Sequence, residues 1–304
     1  MKDAPPVSPW IVLSVGVFAL STGAIFARMA SAPALVIASY RVGLATLFLL
    51  PFTAAKTARE VKTLSKQDLI FVLASGFFLA LHFASWISSL FYTSVASSVV
   101  IVNTIPLWTG ILAPFFTGDP FTGRLKRGLL LALPGGIIIG WGDFALGGGA
   151  LWGDFLDLLG SLFAAIYILF GRKVRSRISL GSYVTLNYGT AAVFLWAALL
   201  AAGLSPAGYS RNTWTAFFLL ALIPQILGHS SYNWALRWIS AGTVALCLLG
   251  EPIGSALLAA AFLGEPLTMN ILFGGILILA GIYYASHEDK KKGTSEMERK
   301  VRHD

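Results

Sequence analysis

Residues 249–268 read LGEPIGSALLAAAFLGEPLT, with Gly-Glu-Pro spelled at both ends of an apolar run. From Pro252 to Gly264 the run is only thirteen residues, too short for a helix rising about 1.5 Å per residue to cross a hydrocarbon core roughly 30 Å thick. A helix that spans through this stretch has to begin upstream, near Ser240 or Gly242. That start places Glu251 roughly 15 Å deep, while Glu265 falls in a polar turn at the surface. The two glutamates are therefore expected in different media.

Composition supports reading the stretch against a bilayer. Of 304 residues, 56% are hydrophobic and only 12% charged, about half the share of a typical soluble domain. The mean hydropathy is +0.75. The formal charge of +8 resides in short loops between apolar runs, a membrane-topology pattern rather than a nucleic-acid surface. Cys247, the single cysteine, lies in an apolar run and reads as a small buried hydrophobe, with no intrachain disulfide available to it.

Ten runs qualify as membrane-crossing helices: 10–27, 33–53, 68–90, 94–117, 125–142, 152–170, 181–202, 214–235, 240–263 and 268–286. Residues 287–304 form a charged tail expected to be disordered. Ala30-Ser31-Ala32 imitates a signal-peptidase site, but Asp3 offsets Lys2 and the first run is retained as a true span. Lys and Arg concentrate after spans 2 (Lys56, Arg59, Lys62, Lys66), 4 (Arg124, Lys126, Arg127), 6 (Arg172, Lys173, Arg175, Arg177), 8 (Arg237) and 10 (Lys290–Lys292). The positive-inside rule then sets both termini in the cytoplasm.

The Gly-Glu-Pro turn has a counterpart. An offset of 146 carries GDPFT at 118–122 onto GEPLT at 264–268. The same offset carries Pro106 onto Pro252, Ser94 onto Ser240, Gly128 onto Gly274 and Gly135 onto Gly281. Further upstream it carries Arg41 onto Asn187, Gly43 onto Gly189 and Phe48 onto Phe194. One register held across several spans is an internal repeat. Each unit holds five helices, an odd number, so the second must enter from the opposite side. The expected fold is an all-α polytopic membrane protein of ten transmembrane helices. It comprises a first repeat (1–149), a second, inverted repeat (150–286) and the tail (287–304).

The stretch 240–285, SAGTVALCLLGEPIGSALLAAAFLGEPLTMNILFGGILILAGIYYA, resembles the carboxy-terminal half-domain of the drug/metabolite transporter superfamily, in its ten-helix exporter branch. GDFLDLLGSLFAAIYILFGRKV, residues 153–174, is similar to the start of that family's second repeat. Within the branch, the aromatic-rich interior looks most like the aromatic amino-acid exporters, also linked to paraquat efflux. The resemblance implies the cell inner membrane, efflux of small molecules, and a central cavity lined by spans 1–4 and 6–9. It also implies that spans 5 and 10 are peripheral.

Polar residues inside spans are costly, about 2.5–3.5 kcal/mol for a central charge, and so mark candidate sites. Glu251 is either a neutral acid bonded to a neighbouring helix or a cavity group for a substrate ammonium, a cation or a proton. His82 and Trp86 lie one turn apart; His229 and Tyr232 form a second stripe with Asn233. Each can serve packing or substrate, as can Asn103 and Asn187. Arg41 either pairs with a substrate carboxylate or snorkels outward. Asp154 and Asp157 are expected at the outer interface, and Pro106 and Pro252 are either hinges or static kinks.

The expected substrate set is therefore His82, Trp86, Asn103, Asn187, His229, Tyr232 and Glu251, with Arg41 as carboxylate partner. The expected function is export of aromatic and other neutral amino acids by alternating access. The alternative is a multidrug or metabolite exporter of organic cations such as methyl viologen. Proton antiport and facilitated efflux both fit. Neither metal nor cofactor is expected, and the expected partners are an amino acid and the bilayer, joined by protons under the antiport reading, not nucleic acid. An enzyme finds no support: there is no G-x-S-x-G or H-E-x-x-H, and His229 and Ser230 are adjacent on a helix and do not face each other.

Overall fold

The computed structural model describes residues 5–93, 95–140, 148–263, 269–270 and 272–284. The turn expected at 264–268, Trp141, Ser94 and the tail at 287–304 lie outside the described residues. The described chain is helical, without strands. Its elements are α1 (Pro9–Ser21), α2 (Gly23–Met29), α3 (Ala34–Thr63), α4 (Lys66–Ser89), α5 (Val95–Val102), α6 (Ile105–Phe116) and α7 (Gly123–Gly140). They continue with α8 (Gly148–Val174), α9 (Leu180–Ala201), α10 (Arg211–Leu220), a π-helical segment Ala221–His229, α11 (Ser230–Ala235), α12 (Ala241–Leu248) and α13 (Glu251–Leu263). A shorter apolar helix, α14 (Leu272–Tyr284), follows.

Among the described residues, eight segments are long and apolar enough to cross a membrane: Pro9–Met29, Ala34–Thr63, Lys66–Ser89, Ser98–Phe116, Gly149–Val174, Leu180–Ala201, Arg211–Ala235 and Ala241–Phe262. The expected span 125–142 corresponds to α7, and the expected span 268–286 is described as helix at 269–270 and 272–284. Arg124, Lys126 and Arg127 occupy the start of α7, and only Leu272–Tyr284 of the last run is a described continuous helix. Side chains such as Phe52 (87% exposed) and Phe115 (84%) stand on the outside of the bundle, as lipid contact requires.

Helix starts are set by serine caps. Ser65, Ser179, Ser210 and Ser240 each accept a hydrogen bond from the backbone N–H three residues on. The second span outruns its expected end at residue 53. AAKTAREVK is a strong helix-forming run, Lys56 and Glu60 pair at 3.8 Å, and Glu60 accepts from Ser179 N–H and Oγ–H at 3.0 Å each.

Three spans are interrupted. The first breaks at Thr22, the fourth at Asn103–Thr104 and the ninth at Leu249–Gly250. Pro106 and Pro252 are each the second residue after a break, where a missing N–H leaves no helical acceptor unpaired. The eighth span holds Pro224 within its π-helical segment, whose wider turn absorbs the lost donor.

Packing is pairwise and reciprocal. α4 runs along α8, while α1 runs against the π-helical segment and α11; α3 lies on α9. α5 meets α13 and α6 meets α12. At the periphery α7 and α14 touch backbone to backbone. A Cβ on Gly135 would lie 2.4 Å from the Gly274 carbonyl oxygen, and one on Gly281 would lie 2.5 Å from that of Gly128. These two contacts exchange under the 146-residue offset, with the helices antiparallel.

Candidate functional site

The broken helices and the polar residues meet at the centre of the bundle. A cavity of about 30 Å³ is lined by Leu20, Arg41, His82, Trp86, Val102 and Asn103, and by Ile105, Ala164, His229, Tyr232, Leu248 and Glu251. α1, α3, α4, α5, α6, α8, α11, α12 and α13 contribute, together with the π-helical segment and the α5–α6 break; α7, α9 and α14 do not. The volume is close to one water molecule's share of the liquid and far below that of a small-molecule pocket.

Arg41 brings a guanidinium to this wall. It is 1% exposed, so it does not snorkel. Its Nε donates to Gln225 Oε1 at 2.8 Å, and its guanidinium lies 4.1 Å from the Phe83 ring centre and 5.5 Å from that of Trp86. Nη1 has no hydrogen-bond partner among the described residues. A buried cation is thus held by a neutral amide and two ring faces, which support it without neutralising it.

Glu251 opens α13 at the middle of the ninth span. Its Oε2 accepts from Asn103 Nδ2 at 3.3 Å, across the break in the fourth span. Asn103 Nδ2 also donates to Val99 O at 2.8 Å, and its Oδ1 has no partner among the described residues. Arg41 and Glu251 line one cavity, yet form no direct ion pair there.

The histidines complete the wall. His82 Nδ1 lies 2.9 Å from the Gly160 carbonyl, which can only accept, so that nitrogen carries the proton. The His82 ring is parallel to Trp86, with centres 6.1 Å apart. His229 Nδ1 is hydrogen-bonded to the Tyr232 hydroxyl, three residues on. Seven of the eight expected side chains therefore share the cavity: Arg41, His82, Trp86, Asn103, His229, Tyr232 and Glu251.

Asn187 does not join them. It is buried between α9 and α4, where its Nδ2 donates to Ser75 Oγ at 3.0 Å. Ser75 Oγ also contacts Tyr183 OH at 2.8 Å and donates to Tyr167 O at 3.0 Å. A second correction concerns Asp157. α8 starts at Gly148, upstream of the expected 152, so Asp157 lies about 13 Å along the helix and is fully buried. Its Oδ1 accepts from Ser89 and Ser98 at 2.5 and 2.9 Å. Gln225 was not foreseen, although a glutamine beside Pro224 in an apolar run is a polar signal of the same kind as Asn103. Phe83 carries no such signal.

Comparison with known proteins agrees with this architecture. A solved crystal structure superposes with a TM-score of 0.74 over 94% of this chain and 100% of its own, at 13% identity, which speaks to fold alone. An uncharacterized transporter of Archaeoglobus fulgidus is 26% identical over 279 residues, covering 90% of this chain and 97% of the relative. The uncharacterized transporter YyaM of Bacillus subtilis is 24% identical over 259 residues, covering 82% and 83%. The profile of the EamA-like transporter family matches twice, over residues 8–141 and again over 151–286. A polytopic bundle matched over both its halves by one transporter family leaves a plain conclusion: the chain is a membrane transporter and belongs to the EamA-like transporter family.

Proposed function

We propose that this transporter exports zwitterionic amino acids, aromatic and other neutral ones, across the inner membrane by alternating access. One observation carries the reading: a buried cation and a carboxylate line the same cavity without pairing. Opposite charges held apart in a low-dielectric interior are unfavourable unless something bridges them. An amino acid supplies a carboxylate for Arg41 and an ammonium for Glu251, with its ring or side chain against Trp86 and Tyr232. His82, Asn103 and His229 supply the remaining hydrogen bonds. The cavity is too small for such a guest as it stands, so the halves must part to admit it.

The ten-helix inverted repeat, divided at 149/150, supplies that motion. Its support is the family profile matched once in each half, the breaks of the fourth and ninth spans in one register, and the reciprocal α7–α14 glycine contacts. Pro106 and Pro252 then sit at equivalent hinges. Both termini face the cytoplasm by the distribution of Lys and Arg.

Glu251 favours a second reading, efflux of organic cations, which Arg41 opposes by repulsion. Proteoliposome uptake of labelled phenylalanine, tryptophan and threonine, beside methyl viologen, separates the two. Saturable amino-acid flux that unlabelled amino acid trans-stimulates is expected. Viologen flux alone would overturn the amino-acid reading. An imposed pH gradient reads proton coupling in the same vesicles.

A further inference from the structure

A second, larger cavity of about 420 Å³ sits at the basic end of the bundle, where α4 begins and α6 and α8 end. It shares no lining residue with the central cavity. Its wall carries Arg172, Lys173, Arg177 and Arg237 against a single lining carboxylate, Asp119. Arg172 pairs with Asp119 at 3.1 Å, and Arg177 with Asp68 at 2.5 Å. Lys173 and Arg237 form no ion pair among the described residues. Each instead lies over a ring, Lys173 4.6 Å from the centre of Phe71 and Arg237 5.0 Å from that of Trp238. Two positive charges thus remain unneutralised in one concavity that also carries the Ser176 and Thr117 side chains.

A general excess of Lys and Arg at one end of a membrane protein explains why basic residues occur there. It does not explain why four of them, from α8, the turn after it and the turn after α11, converge on one concave space. We propose that this cavity binds a phosphate group. Phosphate matches the fork of an arginine and carries the charge that Lys173 and Arg237 leave over. The volume falls in the range of small-ligand pockets. The group can arrive on the headgroup of an anionic lipid or on a soluble phosphate monoester, and both present the same chemistry to the wall.

The test uses the purified full-length protein in phosphatidylcholine nanodiscs. One arm titrates glycerol phosphate; the other raises the phosphatidylglycerol content. Thermal stabilisation is read in both arms, and native mass spectrometry counts retained lipid. Stabilisation in at least one arm is expected, weakening as salt rises. Lys173→Gln/Arg237→Gln, which keeps both stems, should raise the half-saturating concentration about 25-fold, from roughly fivefold per removed cation. Arg59→Gln/Lys62→Gln removes two exposed cations of α3 outside the cavity and should change it less than twofold. Response to lipid alone identifies a headgroup site, and response to glycerol phosphate alone a soluble-phosphate site. No response in either arm, or equal loss in both double variants, overturns the proposal. Should the first double variant fold poorly, Lys173→Gln alone carries the fivefold expectation.

Discussion

Replacing Arg41 by Met tests the central assignment most directly, because it removes the charge and keeps an unbranched stem against Phe83 and Trp86. In the proposed complex Arg41 gives a substrate carboxylate charge-assisted hydrogen bonds through the unpartnered Nη1. Such bonds contribute about 1.5–3 kcal/mol, which corresponds to a roughly 10- to 150-fold rise in half-saturating amino-acid concentration. The opposite sign applies to a cation: with Glu251 in place and Arg41 gone, methyl viologen should enter more readily. Folding is not expected to collapse. The variant leaves Gln225 Oε1 without its donor, about 1–3 kcal/mol, but removes a buried charge whose insertion costs about as much. The assay is competitive uptake in proteoliposomes at matched protein orientation, with melting temperature measured alongside. Unchanged phenylalanine affinity in a folded Arg41→Met protein would refute the carboxylate role. Lost amino-acid affinity with no gain for viologen would refute the electrostatic argument behind it.

Three further outcomes follow from packing and hydrogen bonding. Gly135→Ala and Gly281→Ala should each destabilise the bundle by about 1–3 kcal/mol and by similar amounts, because both place a Cβ against a carbonyl at 2.4–2.5 Å; melting in detergent reads this, and markedly unequal effects would contradict their equivalence. Asp157→Ala removes the buried acceptor shared by the Ser89 and Ser98 hydroxyls, which keep each other and the Trp86 carbonyl as partners, and should cost about 1 kcal/mol, whereas Asp157→Asn keeps an acceptor oxygen and should cost less; the two melting temperatures decide. Arg175, 1% exposed, donates to the carbonyls of Asn233 and Ile178, so Arg175→Ala should lower the melting temperature far more than Arg177→Ala, whose side chain is 61% exposed and whose ion pair contributes at most about 1 kcal/mol.

Much of the bundle was legible in advance because a bilayer leaves the backbone few options. Each apolar run has to close its own hydrogen bonds as a helix, so hydropathy alone located the long spans. It was less informative about helix ends, which depend on caps and propensity. The helical run 54–63 and the early start of α8 are both polar or glycine-rich segments that hydropathy discounts. The candidate site was legible for a related reason. Polar side chains are expensive inside a membrane, so few occur, and most of those in this chain point to one place. Arg41 and Asn187 mark the limit. The 146-residue offset carries one onto the other, yet one faces the cavity and the other is drawn to Ser75. Gln225 carries the same polar signal as Asn103, but its place beside Arg41 was not legible, because a π-helical turn shifts the register on which helical-face arguments rest.

The opposed charges at the centre also bear on energetics. A transmembrane potential does work of about 2.3 kcal/mol on each elementary charge that crosses 100 mV. With Arg41 and Glu251 both ionised, the empty core carries one positive and one negative charge, which move together and cancel. A zwitterionic guest adds nothing to that sum. In the proposed alternating-access cycle, loaded and empty reorientation are then both electrically silent, and the voltage across the membrane would neither drive nor stall it. The direction of net flux falls to concentration alone, unless a proton joins Glu251 on one leg and makes that leg carry charge.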